Sequence, residues 1–299
     1  MIHKVLEIRE HAQAIFGCCS TNFEQVFTCS ADGFVVSWNL NSGIQNPFVV
    51  KTSYPTYAIE CSEETLFVGL NNGDLHWIDI ATKREIKYFS QHKSAIFSLT
   101  YDSKNKLLIS TDSEGYVGIW DVSNAVLAMF FQIPCGKIRS VCFNQNSSEI
   151  SIGGQNGVVY QFETQFLNQT NEFFAHKEGV SSLSYHPNKQ GIILSGGKDA
   201  FLRGWDLMNN EKICAFPAHL FAIYGIQFSP DACQFATCSR DKSIKIWDSD
   251  TFEIVQKIDY KSGGHQHSVN AINWTNHGLV SVSDDRRLIL WNNSNEINT

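Results

Sequence analysis

Between Ala222 and Asp259 the chain reads AIYGIQFSP, CQFATCS, KSIKIWD and FEIVQKID, four short runs in which β-branched and aromatic residues alternate with small or polar ones. Turn-forming residues separate the runs. A period of two with one apolar set is the pattern of strands buried on one face, so each run predicts a short β-strand. The third run is one variant of a phrase that recurs along the chain as DGFVVSWNL, EGYVGIWDV, DAFLRGWDL, DKSIKIWDS and DRRLILWNN. Two degenerate variants, NGDLHWIDI and NGVVYQFET, fill the gaps and bring the copies to seven.

The equivalent positions in these copies are Trp38, Ile78, Trp120, Phe162, Trp205, Trp247 and Trp291, separated by 40, 42, 42, 43, 42 and 44 residues. A period in the low forties with four strands per copy is that of a propeller blade. The sequence resembles the WD40 repeat family on these features, over essentially its whole length. The family's Gly-His dipeptide before the first strand survives in full only as Gly264-His265, and its Trp-Asp after the third strand as Trp120-Asp121, Trp205-Asp206 and Trp247-Asp248. The resemblance implies an all-β fold: a seven-bladed WD40-type β-propeller with four antiparallel strands per blade, read as a single domain over residues 1–299.

The two ends fit closure of a ring. The last copy has only a short polar tail, residues 292–299, where its fourth strand would be, while residues 1–10 hold an orphan strand before the first blade begins. The N-terminal strand is therefore expected to join the last blade, which removes the open sheet edges at the seam.

Composition narrows the function classes. With 43% hydrophobic residues, 18% charged residues and a formal net charge of -7, the chain has the make-up of a globular protein with a sizeable core, not a basic nucleic-acid or membrane-surface binder. MIHKVLEIREHAQ lacks the apolar core of a signal peptide, and no apolar run approaches the length of a membrane helix. A cytoplasmic location is expected. The nine cysteines lack CxxC spacing and sit mostly in apolar runs, which favours buried free thiols over a disulfide or zinc framework.

One constellation invites a catalytic reading. Aligned on the turn acid six residues before the tryptophan, five copies carry a hydroxyl residue four places earlier and a histidine about twenty places earlier. The sets are His11, Thr28, Asp32, Trp38; His92, Ser110, Glu114, Trp120; His176, Ser195, Asp199, Trp205; His219, Thr237, Asp241, Trp247; and His265, Ser281, Asp285, Trp291. In the other two copies all four types are lost together, to Thr52, Val68, Asn72 and Ile78 and to Pro134, Ile152, Asn156 and Phe162. Loss of all members at once marks one coupled network, because a half-built buried network strands donors and acceptors. A nucleophilic triad needs an exposed nucleophile and an oxyanion hole, and is needed once. The tetrads are read as structural, resembling the hydrogen-bonded tetrad of the family, and no residue is assigned as catalytic. Glu114 is longer than its counterparts and strains the pattern in the third copy.

GGHQHSV places His265 and His267 on one face of a strand, as a metal pair would be. His265 already belongs to a tetrad and no further ligand has suitable spacing, so neither a metal nor a cofactor is expected, and His267 is assigned to the rim. The family resemblance implies a top face lined by positions three and five residues after the histidine and by the residue before the turn acid. Carried over, these give an aromatic arc of Phe16, Tyr57, Phe97 and Tyr224, and a cationic group of Arg139, Lys198 and Arg240. Aromatic and arginine side chains dominate binding hot spots, so the expected role is a scaffold that binds a protein or peptide partner on this face. Nucleic acid stacked on Tyr224 and Phe97, and a hydrolase, are the competing readings. An outer strand that is nearly all apolar, around Val126–Phe131, is a second candidate surface, through which copies of the chain would associate.

Overall fold

The computed structural model describes residues 1–21, 25–144, 147–165 and 167–292. Their strands form seven sheets of four, each antiparallel. Blades 1 to 6 comprise residues 15–51, 56–89, 96–132, 138–174, 180–217 and 223–258, with strands in sequence order from the axis outward. The innermost strand of each blade lies beside those of its two neighbours, and the strand of blade 1 also lies beside that of blade 7. The chain is thus a closed seven-bladed propeller.

Blade 7 takes Val269–Thr275, Gly278–Ser283 and Leu288–Asn292 from the C-terminal side and His3–Ile8 from the N-terminus as its outer strand. Glu7 pairs opposite Ile289 and Ile8 opposite Leu288. Arg287, almost fully buried, seals this joint by reaching Glu7, Asp285 and the carbonyl of Gly264. Burial opposes ionisation of the Glu7 carboxyl, but Lys4, Arg9 and Arg287 outweigh it and hold its pKa at about 2. The last residues of the polar tail, 293–299, lie outside the described residues.

The alternating pattern of the strands explains the packing. Seven apolar clusters form, each in a gap between neighbouring blades: Val26, Val36 and Trp38 meet Val280 and Leu290, and Trp120 meets Phe67, Leu75 and Trp77. In a tetrad blade the tryptophan turns toward the preceding blade. Full burial of a valine, leucine, isoleucine or phenylalanine side chain is worth roughly 1.5–3 kcal/mol, and the clusters repeat this around the ring. The only helix among the described residues is a short turn, Tyr260–Ser262, and none is long and apolar enough to cross a membrane.

Val126–Gln132 is the outer strand of blade 3. Phe130 stacks on Tyr116 and Phe131 packs toward Phe162, which leaves Val126 and Met129 as its exposed large apolar side chains. All nine cysteines are free thiols: four are buried and four half-buried, while Cys233 is exposed.

Candidate functional site at the mouth of the propeller

Two polar systems meet at one end of the ring. The first is the set of tetrads. In blades 1, 5, 6 and 7 histidine Nδ1 lies 2.9–3.0 Å from the aspartate, histidine Nε2 lies 2.8–2.9 Å from the serine or threonine oxygen, and the indole N–H donates to that oxygen at 2.8–2.9 Å. The order of contacts suits an imidazole whose Nδ1 faces the carboxylate and whose Nε2 faces the hydroxyl, the hydroxyl oxygen accepting the indole N–H. The histidines of these four blades are buried and their hydroxyl partners fully so, which leaves no exposed nucleophile.

Blade 3 departs from the sequence expectation. His92 bonds to Asp112 at 2.8 Å, not to Glu114, while Ser110 and Trp120 complete the network at 2.7 and 2.8 Å. Asp112 is fully buried and also accepts the backbone N–H groups of Glu114 and Tyr116. The shorter carboxylate two residues upstream reaches the imidazole from the end of its strand, and Glu114 is left exposed at the turn.

Electrostatics agree with a structural role. Burial pushes the imidazoles of His176, His219 and His265 below the usual histidine value despite the opposing pull of their aspartates. Burial works to raise the carboxyls of Asp32, Asp112, Asp199, Asp241 and Asp285, but bonds from the histidines and backbone N–H groups hold them below the usual range. Three of the aspartates also fasten the loop that follows their histidine: Asp32 accepts from Ala12 N–H, Asp241 from Leu220 N–H and Asp285 from Gln266 N–H. The tetrads of blades 1, 6 and 7 therefore hold these loops in place.

The second system lines the mouth itself. In every blade the ladder between the first and second strands skips one residue, and the skipped residues are Phe16, Tyr57, Phe97, Arg139, Ser181, Tyr224 and Asn270. A β-bulge re-aims the side chain it leaves unpaired. All seven side chains line one pocket of about 430 Å³, together with Arg240, Ser268 and Asp284.

The rings of Phe16 and Tyr57 meet edge-on at 4.9 Å, Tyr57 and Phe97 lie 5.6 Å apart, and the guanidinium of Arg139 sits 4.3 Å over Phe97. The row thus runs through blades 1 to 3 and is closed by Arg139 of blade 4. Tyr224 is not part of this row, because Asn270 of blade 7 stands between it and Phe16 in the ring order. Lys198, expected on this face from repeat phase, is not among the residues that line the pocket. Burial first, then Arg139 and Lys137, push its ammonium below the usual lysine value against a weaker pull from Glu178.

Several residues here were not singled out from the sequence. Leu220 and Phe221 of the loop after His219 are 83% and 54% exposed, an apolar pair beside Arg240, whose guanidinium lies 5.9 Å over Phe221. Asp284 faces the pocket from blade 7 and accepts a bond from Asn270 at 2.7 Å. Ser268 lines the pocket with a buried hydroxyl that has no partner. The residue three after the histidine was a signal for Ser268, and the one before the turn acid for Asp284; exposure of a loop has no such signal. His267 is exposed, and no group of three metal-ligating side chains forms among the described residues.

Comparison with known proteins agrees with this architecture. A family model described as WD domain, G-beta repeat matches residues 83–121, 167–206, 210–248 and 256–292, just over half of the chain. The chain is 20% identical to WD repeat-containing protein 55 of Bos taurus over 76% of its own length and 62% of that protein. It is 26% identical to WD repeat-containing protein 1 of Rattus norvegicus over 68% of the chain and 34% of that protein. With Pre-mRNA-processing factor 17 of Homo sapiens the identity is 22% over 71% of the chain and 37% of that protein. The chain therefore spans between about a third and three fifths of the length of these relatives.

Proposed function

Because the chain belongs to the WD domain, G-beta repeat family, we propose that it is a non-catalytic interaction scaffold that binds a protein or peptide partner in the mouth of its propeller. The observation that carries this reading is the pocket lined by the bulge residue of every blade. Phe16, Tyr57 and Phe97 supply an apolar wall, Arg139 and Arg240 supply charge, and Leu220 and Phe221 extend the apolar surface onto the rim. Large rigid side chains and arginine at the centre of a concave surface gain contact area at small entropic cost. The tetrads, buried and repeated in five blades, serve to hold this surface and offer no reacting group.

Phe97→Ala combined with Tyr224→Ala tests the reading by partner capture from lysate with mass spectrometry. Loss of the partners bound by the unaltered protein, with melting temperature nearly unchanged, is the expected result. Undiminished capture would remove the mouth as the binding site. A nucleic-acid reading draws support from the cations and from similarity to a protein named Pre-mRNA-processing factor 17. Asp284 on the pocket wall and the net charge of -7 weigh against it. Steep weakening of capture with salt is its distinguishing signature.

A further inference from the structure

In blade 3 the tetrad imidazole is covered by the outer strand: Phe130 pairs opposite Gly118, and its ring meets that of His92 edge-on at 5.1 Å. Tyr88 holds the same register in blade 2, opposite His76, but Thr52 stands where the histidine would be. A cavity of about 330 Å³ opens there on the flank of the ring, between blades 1 and 2. Both residues that replace the ends of the tetrad, Thr52 and Ile78, line it, together with Tyr54, Asp74, Glu85 and Tyr88. Blade 4, which also lacks a tetrad, fills the corresponding place with Tyr160, which is buried and accepts from the Asn156 amide at 2.8 Å. We propose that the flank cavity of blade 2 is a binding site for the arginine side chain of a partner segment. No residue lines both this cavity and the mouth, so the inference does not depend on the mouth being a partner site.

Three features of the cavity suit this occupant. The first is a carboxylate fixed before the ligand arrives. Asp74 accepts from the Tyr88 hydroxyl at 2.9 Å on one oxygen and from the Asn72 amide at 2.6 Å on the other. An ionised carboxylate has about four acceptor sites, so each oxygen keeps capacity for one N–H of a guanidinium. The second is a pair of aromatic rings. Tyr54 and Tyr88 are 48% and 47% exposed, and a planar guanidinium stacks on such faces better than an ammonium does. The third is the floor: Leu70 and Ile78 are buried hydrocarbon against which the methylene stem of an arginine can lie while its head stays at the rim.

The charges nearby decide the sign of the ligand. Lys51 belongs to the wall through its strand, but its ammonium lies 5.9 Å over the Phe34 ring, and Phe34 packs on the face of blade 1 that meets blade 7. That cation is therefore turned away from the cavity. Lys83 stands on the turn before Glu85, at the end of the cavity away from Thr52 and Tyr54, where Glu85 also lies 2.6 Å from His76 Nδ1. The end that holds Asp74, Tyr54 and Tyr88 is left with a net negative charge. A phosphate or carboxylate ligand would meet Asp74 there. A metal ion lacks its ligands, since no group of three metal-ligating side chains forms among the described residues.

Nα-acetyl-arginine amide and its neutral citrulline counterpart are the probes, titrated into the full chain with backbone amide shifts read by NMR, which registers even millimolar binding. The arginine probe should shift Thr52, Tyr54, Asp74 and Tyr88 and bind about tenfold more tightly than the citrulline probe. Asp74→Asn should weaken it by about tenfold and Tyr54→Ala by roughly threefold, both without a change in melting temperature. Tyr88→Phe, which keeps the ring, should stay within about threefold of the unaltered protein. Phe97→Ala with Tyr224→Ala should leave the titration as it is, so the failure of one site is read separately from that of the other. Absence of shifts at these four residues, equal binding of the two probes, or affinity indifferent to Asp74→Asn overturns the proposal. Shifts confined to Phe16, Tyr57 and Asp284 would move the cation to the mouth and remove the flank site. Shifts at the four residues that grow with protein concentration before any probe is added would assign the seam to a second copy of the chain.

Discussion

Blades 2 and 4 have the same four strands, the same bulge and the same place in the ring as the other five, yet they reach it without a tetrad. In blade 2, Val68 and Ile78 fill the space of the hydroxyl and the indole in an apolar cluster shared with blade 1, and Thr52 ties its loop through bonds to the carbonyls of Gly33 and Tyr54. In blade 4, Ile152 and Phe162 join a cluster with blade 3, and Gln155 anchors the loop by accepting from Lys137 N–H. The difference teaches that the tetrad is one of two ways to do the same work. Either all four polar groups are present and satisfied, or none is and the gap is filled by hydrocarbon.

The sharpest way to break this comparison is a hybrid. Thr237→Val removes the oxygen that Trp247 and His219 share, leaving two buried polar groups without a partner. At about 1–3 kcal/mol for each stranded group, the loss should be several kcal/mol in chemical denaturation. Converting blade 6 wholly to the blade 2 set, with His219→Thr, Thr237→Val, Asp241→Asn and Trp247→Ile, should cost less than the sum of the four single changes, by roughly 0.5–3 kcal/mol. Additive losses would show that the four positions act independently.

A smaller effect distinguishes the two acids of blade 3. Asp112→Asn should destabilise by about 1–3 kcal/mol, since an amide cannot accept from the imidazole, Glu114 N–H and Tyr116 N–H in the way a carboxylate does. Glu114→Gln should stay within about 0.5 kcal/mol of the unaltered protein.

Acid titration gives the smallest and most distributed effect. His176, His219 and His265 are held below the histidine value of 6.5, so their contribution to stability is complete above that pH. It is lost as the pH falls below 6.5, because the unfolded chain then takes up protons that the folded chain refuses. Glu60, on an inner strand of blade 2, acts in the opposite sense: burial pushes its carboxyl up to about 7, so the folded state binds that proton first as the pH falls toward 4.5. The melting temperature should fall from pH 7 to pH 5, and Glu60→Gln should make the fall steeper. A melting temperature that rises over this range would contradict the assignment of buried neutral histidines.

Much of the fold was readable because it is written seven times: period, strand alternation and the orphan N-terminal strand each depend on local pattern alone. The candidate site was readable in part. Repeat phase placed Phe16, Tyr57, Phe97, Arg139, Tyr224 and Arg240 on one pocket, but it did not show why they point there, since a bulge is a property of strand pairing and has no mark in a single strand. Repeat phase also selected Glu114 over Asp112, because counting from the tryptophan ignores which carboxylate is short enough and deep enough to meet the imidazole. It gathered Tyr224 with the other rings although blade 7 intervenes, and it was blind to Leu220 and Phe221, whose exposure follows from a loop pinned by Asp241.

The central claim is a division of labour, with the tetrads holding the ring and the bulge residues meeting the partner. Partner capture by Thr237→Val and by Phe97→Ala with Tyr224→Ala, compared at a temperature where both remain folded, tests it most directly. The account predicts that Thr237→Val captures the same partners as the unaltered protein while the aromatic pair captures none. Capture lost with Thr237→Val and retained by the aromatic pair would contradict it.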